Sequence, residues 1–597
     1  MYLTKLNESM MQSLFAVMNH HIAVANNPLV IFFVVILTTG ISVQADTFQF
    51  ETVEFRQDSS LETITHQPRA GSHVKVYMPN LPYIAAAHAV NGALVRPAEN
   101  EKGWEYDMAT SHRVISPTLY EFTLREGVRF HDGTPFTADS VVMNIEYFKR
   151  DPYTFTKIHL VLERAEKIDD YTVRFHLNEA YGLLLYDALW LLFYSPAYLE
   201  KFGWNGKPFC PNIAEAGPYG LGPYMLVDGY IEGDRRTPTA ELVRNPYYWD
   251  KRSPKVERIT IVMDTSPEEA KALALNTEGN IDIAPIAFAD EMETVFSPYA
   301  KLMRKKANNN YLARFNLFTG NPIFKEPEVR KAINRAIDQH ALTALSMNGE
   351  GVPTLISLSE GFYGVKESMA LLPASPVESI YDEAVRTDII ATLDSYKTKY
   401  GYDEDARIPL TIMAQESLLY ILKDIKFFLE RVNIDVHLHI VKDESEMFKN
   451  NLSAIRHENE IDFDIVVWPN FDWIKNPWGT FFIYHSETGW STFEPGTDDM
   501  LDYHVNRFFA TPSYAEDYVD TLAGLTQHLH SQNYVLFLPS PFATFAVNKE
   551  VVYQPRSSAF YPLWEIEVSD LHWSVRDGEY PTEKLVPIAI EAPDERK

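Results

Sequence analysis

At 597 residues, with 46% hydrophobic and 13% aromatic side chains, the chain carries enough apolar material for large cores, and wholesale disorder is excluded. Its 53 basic against 82 acidic side chains leave a net charge of −29, which argues against nucleic acid or an anionic membrane surface as the main partner, because both would repel it. A single cysteine, Cys210, excludes a disulfide framework and any cysteine-rich zinc module.

Pro28 to Leu37 reads PLVIFFVVIL, a run of ten uncharged residues, and Val43-Gln44-Ala45 follows shortly after it. A short apolar run closing on small residues is the form of a secretory signal. As a helix it rises only about 15 Å, well short of a roughly 30 Å hydrocarbon core. Residues 1–45 are therefore read as a cleaved signal peptide, with an exported, periplasmic mature chain starting at Asp46. An N-terminal anchor helix, counting Ile41 and Val43 into the run, is the alternative.

Further along, Phe122 and Leu124 alternate with Thr123 and Arg125 as a half-buried strand would. Glu126-Gly127 makes a turn, Val128 and Phe130 begin a second strand, and Asp132-Gly133 is a turn signal before a helix opened by Thr137-Ala138-Asp139. His131 falls inside this hairpin and is read as structural. Gly217-Pro218 and Gly222-Pro223 bracket a tight loop, and Arg244-Asn245-Pro246 ends a strand; neither contains a phosphate-cradling pattern. Ile259 to Val262 is a strand, followed by a helix from Ser266 to Asn276 with proline at its first position. Tyr311 to Phe315 alternates as a strand. Ile408 to Met413, Ser417 to Val432 and Ile434 to Val441 form a β–α–β unit, and Glu460 to Trp468 ends in a further strand. Val535 to Leu538 is a continuous apolar strand. The fold class is α/β, with sheets flanked by helices.

The stretches Tyr120–Val141 (YEFTLREGVRFHDGTPFTADSV), Gly217–Tyr224 (GPYGLGPY), Arg244–Trp249 (RNPYYW), Gly279–Asp282, Phe315-Asn316, Glu328–Ala332 and Ala336–Asp338 occur in this order. Together they resemble the family 5 solute-binding proteins that serve ABC importers of peptides, opines and nickel, over about residues 105–550. The resemblance implies a two-lobe periplasmic-binding-protein fold in which residues 46–314 form the first part of lobe I, with a subdomain inserted at about 92–215. Residues 315–537 then form lobe II, and 538–597 return to lobe I. Two crossing strands, near Tyr311–Leu317 and Leu536–Val547, would join the lobes. It also implies a monomer that captures a small peptide by hinge closure and passes it to permease subunits, with no cofactor.

Phe463 to Phe482 reads FDIVVWPNFDWIKNPWGTFF, in which Trp468, Trp473, Trp478, Phe471 and Asp472 crowd the end of a strand. In peptide-binding members an aspartate in this loop holds the peptide amino group, and Asp472 is the matching residue. The bland alternative makes Trp468 and Trp478 packing residues and Asp472 a turn cap. An oligosaccharide or a metal chelate is the other ligand class open on this fold, although the histidine that nickel-binding members carry after the loop's proline is here Trp478. Two histidine pairs, His437/His439 and His528/His530, have spacing that suits a shared metal on a strand face; for the first pair the polar face of an amphipathic strand explains the pattern equally well. No Gly-x-Ser-x-Gly elbow or His-Glu-x-x-His helix is present, so a hydrolase is the weakest reading.

Overall fold

The computed structural model describes residues 53–585 apart from 57–67, 80–81, 153–155, 205–214, 232–235, 307–308, 356–360, 373–378, 443, 459–461, 472–483, 486–490, 492–493 and 558–560. The region proposed as a signal peptide, and Asp472, Trp473 and Trp478, lie outside these residues.

Three sheets organise the chain. An antiparallel sheet orders Val53–Arg56, Ala109–Ser116, Leu119–Leu124, Thr172–Leu177 and Leu162–Asp169, with the helix Ala138–Arg150 packed on it. A seven-stranded sheet runs Ala300–Lys305, Ala543–Asn548, Ile283–Pro285, His73–Tyr77, Arg258–Val262, Thr239–Arg244 and Tyr224–Asp228. A mixed five-stranded sheet runs Ile434–Val441, Ile408–Gln415, Ile465–Phe471, Asn309–Phe315 and Val535–Leu536. Helices flank the strands, as expected for an α/β chain.

Local signals account for much of this. Ser266 caps the helix Pro267–Asn276 by accepting the Glu269 N–H, and proline at the first position forfeits no helical hydrogen bond. Ile408–Gln415 pairs in parallel with Ile434–Val441 across the helix Leu419–Glu430, the β–α–β unit read from periodicity. Buried Ile421, Leu422, Ile425, Phe428 and Leu429 supply that helix's apolar stripe.

Three expectations are corrected. No second strand follows Glu126-Gly127: only an isolated bridge pairs Arg129 with Pro135, which has no N–H to extend a ladder. The strand expected over Glu460–Trp468 instead spans Ile465–Phe471. Before it, the Asp464 side chain takes the Asn321 and Thr411 N–H groups at 2.6 and 2.7 Å. His528 and His530 lie on the helix Tyr518–Gln532, where residues two apart do not share a face; His528 is paired with Asp498 at 2.7 Å. Among the described residues no group of three or more His, Cys, Asp or Glu is placed to hold a metal, and no helix is long and apolar enough to cross a membrane.

Candidate functional site

Strand direction marks out the candidate site. The chain leaves the seven-stranded sheet at Lys305, enters the mixed sheet at Asn309, and returns between Leu536 and Ala543. Pro285 lies opposite Phe545 and Lys305 opposite Ala543, so the carboxyl ends of those strands sit beside the crossing. His73–Tyr77 and Arg258–Val262 run parallel to Ile283–Pro285 and end on the same side. In the mixed sheet Phe471 lies opposite Asn309, and the parallel strands ending at Gln415 and Val441 point the same way. Both sheets therefore present the carboxyl ends of their parallel strands to the crossing segments, the place where open α/β sheets bind ligands.

Around the crossing, polar contacts link the seven-stranded sheet and its helices to the segment 348–350. Arg304 holds Glu291 through two hydrogen bonds of 3.1 and 2.9 Å and reaches Glu350 at 3.3 Å. Burial, together with the Glu291 charge, pushes the Glu350 carboxyl up against the pull of Arg304. Asn348 Nδ2 donates to Phe288 O at 2.6 Å, and the Phe542 N–H to Glu350 O at 3.0 Å. On one face of the mixed sheet the Tyr311 and Tyr420 hydroxyls meet at 2.5 Å, and burial raises both above the ordinary tyrosine range. On the other face Arg314 is 5% exposed and donates to Ser491 O at 3.2 Å and to Asn451 Oδ1. Desolvation lowers its guanidinium to about 9.

The sequence motifs interlock against residues 89–91, in the segment that follows the strand His73–Tyr77. His131 accepts the Gly220 N–H on Nδ1 at 3.2 Å and faces Gly222 O through Nε2 at 3.1 Å. Asn245 Nδ2 donates to the same carbonyl at 2.9 Å. A Cβ on Gly220 would lie 2.0 Å from Val90 O, so the GPYGLGPY loop needs glycine to approach residues 89–91. Arg125 stacks 3.6 Å from the Trp249 ring centroid, whose indole donates to buried Asp107 at 3.0 Å. Three motifs thus brace the segment that follows the strand; none carries a reacting group.

Of the sequence-predicted residues, Trp468 is half-buried against Met413, Val441, Met447, Ala454, Phe463 and Val466, opposite Leu312. Part of its ring is therefore used in packing. The Phe471 backbone ends the strand beside Asn309, at the converging carboxyl ends. Sequence reasoning missed Tyr311–Tyr420, Arg314 and Arg304–Glu350. No local pattern marks them, since the partners in the first two pairs are 109 and 137 residues apart.

Comparison with known proteins agrees with this architecture. The profile described as "Bacterial extracellular solute-binding proteins, family 5 Middle" matches residues 103–492. Heme-binding protein A of Haemophilus influenzae is 28% identical over 319 residues, 49% of this chain and 56% of that protein. Glutathione-binding protein GsiB of Escherichia coli (strain K12) is 29% identical over 257 residues, 41% of this chain and 46% of the relative. The chain thus spans about half the length of the curated relatives it matches. NikA from Brucella suis, solved with Fe(III)-EDTA, superposes with a TM-score of 0.67 at 19% identity, covering 83% of this chain and all of that one. The oligopeptide-binding protein AppA from Bacillus subtilis, solved with a nonapeptide, gives 0.66 at 17% identity, covering 84% and 100%. These two likenesses show the fold, the α/β periplasmic-binding-protein fold.

Proposed function

The chain belongs to family 5 of the bacterial extracellular solute-binding proteins, a family of binding proteins and not of enzymes, and on that premise we propose that it captures a short peptide between two lobes and delivers it to the membrane subunits of an ABC importer. Lobe I, residues 46–314 and 538–597, is built on the seven-stranded and antiparallel sheets, and lobe II, residues 315–537, on the mixed sheet, whose strand Asn309–Phe315 lies at the boundary. The exported, periplasmic location read from residues 1–45 belongs to the same proposal.

The observation that carries the reading is the position of Phe471, at the strand end where both sheets turn their carboxyl ends toward the crossing. Asp472 follows it directly, flanked by Phe471 and Trp473. A peptide's free amino group loses its water on enclosure, and an unpaired buried ammonium is prohibitively costly, so the site must supply an anion. On this reading Asp472 is that anion, Phe471 and Trp473 exclude water, and Trp468 and Trp478 are further ligand-binding residues. AppA, with its nonapeptide, supports peptide as the ligand class on this fold.

Calorimetry tests it. Asp472→Asn should weaken peptide binding on the order of 10- to 1000-fold, since truncating one partner of a desolvated charged pair costs about 2–5 kcal/mol. The melting temperature of the free protein should barely change. An N-acetylated peptide should lose affinity for wild type but much less for the variant, because both changes remove one interaction. Equal affinity of wild type for free and acetylated peptides would transfer the assignment to an oligosaccharide or a metal chelate.

A further inference from the structure

Away from the crossing segments, the region carrying the antiparallel sheet meets the helices of the mixed sheet a second time. The Gly182 N–H, just beyond the strand Thr172–Leu177, donates to Phe509 O in the helix Asp499–Ala510 at 2.6 Å. A Cβ on Gly182 would fall 2.4 Å from Thr511 O, 2.5 Å from Thr511 C and 2.7 Å from Pro512 N. These are backbone atoms, which cannot swing aside, so only glycine permits the approach. Gly182 does not occupy the left-handed region, so another residue could adopt its backbone conformation once the two surfaces are apart. Around the contact, the Tyr181 and Phe509 rings lie 6.4 Å apart and Lys157 Nζ sits 5.7 Å over Phe509. The Tyr120 hydroxyl reaches Tyr181 O at 3.4 Å and its side chain pairs with Tyr514.

The two sheet regions are thus joined at the crossing, by the chain itself with Arg304–Glu350 and Asn348–Phe288 beside it, and away from the crossing at Gly182–Phe509, where Tyr186 also lies close to Tyr518. A solute enclosed between them enters or leaves only if one junction parts, and the covalent one cannot. We propose that the Tyr181–Gly182 turn and the Phe509–Thr511 helix end form a latch that holds the lobes closed and releases to admit solute, an inference that rests on the two-lobe binding reading. One backbone hydrogen bond, Gly182 N–H to Phe509 O, crosses the contact, beside the Tyr181–Phe509 ring pair and the Tyr120–Tyr514 side-chain pair.

The test uses the full ligand-free chain, so its outcome does not depend on which solute binds. Small-angle scattering and hydrogen exchange are measured on wild type, Gly182→Ala and Tyr514→Phe. Gly182→Ala should raise the radius of gyration and speed amide exchange over residues 178–186 and 507–514 by about tenfold or more, while the strand His73–Tyr77 keeps its protection. Tyr514→Phe, which removes one hydroxyl and adds no bulk, should shift both readouts the same way by less, and it carries the test if the alanine variant does not fold. An unchanged radius and exchange in these variants would overturn the latch. So would exchange that rises equally in His73–Tyr77, since that pattern marks a permanent interface whose loss unfolds the whole molecule.

Discussion

His131 stands in the most family-specific stretch of the chain, yet its ring is fully engaged in holding a loop. Nδ1 accepts the Gly220 N–H, so the proton sits on Nε2 and is donated to Gly222 O. Burial lowers its pKa to about 4, and lowers those of His88 and His112 to about 3 and about 4. These groups are neutral when folded but take up protons near 6.5 when unfolded, so the stability they contribute is present above about 6.5 and is lost as pH falls toward 4. Each unit of depression corresponds to about 1.4 kcal/mol. Chemical denaturation of wild type should show unfolding free energy falling through that window. His131→Leu should be less stable at pH 7.5 by about 1–3 kcal/mol, from two lost buried hydrogen bonds, and should fall less steeply on acidification. The expectation that His131 is structural holds, although the second strand of the hairpin it rested on does not form. The partners of His131 were not legible, because Gly220 and Gly222 are 89 and 91 residues away.

Gly279–Asp282, another of the ordered stretches, acts by joining elements. Asp282 is 1% exposed and its side chain takes the Lys75 N–H at 2.8 Å and the Trp573 indole at 2.9 Å, with His572 Nε2 at 3.3 Å. His572 Nδ1 lies 2.8 Å from Ser574 Oγ, which accepts the His73 N–H at 3.1 Å. One carboxylate therefore ties the C-terminal segment to the central strand His73–Tyr77. Asp282→Ala strips all three donors of their acceptor inside the core and should cost roughly 3 kcal/mol or more in urea denaturation. Limited proteolysis should then cut first within residues 569–584. Local signals were a sound guide to the elements themselves, alternation for Ile434–Val441 and the Ser266 cap for Pro267–Asn276, although Ile440 is exposed where alternation expects it buried. Alternation failed at Val128–Phe130, where buried apolar residues line a tight loop and imitate a strand.

At the scale of the whole molecule, the two-lobe proposal makes the crossings between Lys305 and Asn309 and between Leu536 and Ala543 the hinge, about which two bodies would rotate unless something else ties them. On the same proposal, Arg304–Glu350 and Asn348–Phe288, close to these crossings, would persist through a small rotation, whereas Gly182–Phe509 would not. Ligand binding should shift the equilibrium toward the compact state. Saturating ligand, first identified by mass spectrometry of solute released from denatured protein, should reduce the radius of gyration most clearly in the Gly182→Ala variant. No compaction in either protein would refute hinge closure as the capture mechanism.

By itself the sequence determined the α/β class, the ordered family stretches, the β–α–β unit over 408–441 and the concentration of aromatic residues around Asp472. All of these are written in local spacing, because a strand or helix selects its buried face within a few residues. Which strand ends converge, and hence why the end of Ile465–Phe471 faces the crossing, is set by the packing of distant segments. Only it could bring Tyr311 to Tyr420, Arg314 to Asn451, and Gly182 within reach of Thr511. Those contacts join residues more than a hundred positions apart, and their energy depends on approach distances of a few tenths of an ångström. Such distances are set when whole sheets and helices pack against one another, and no window of sequence contains them.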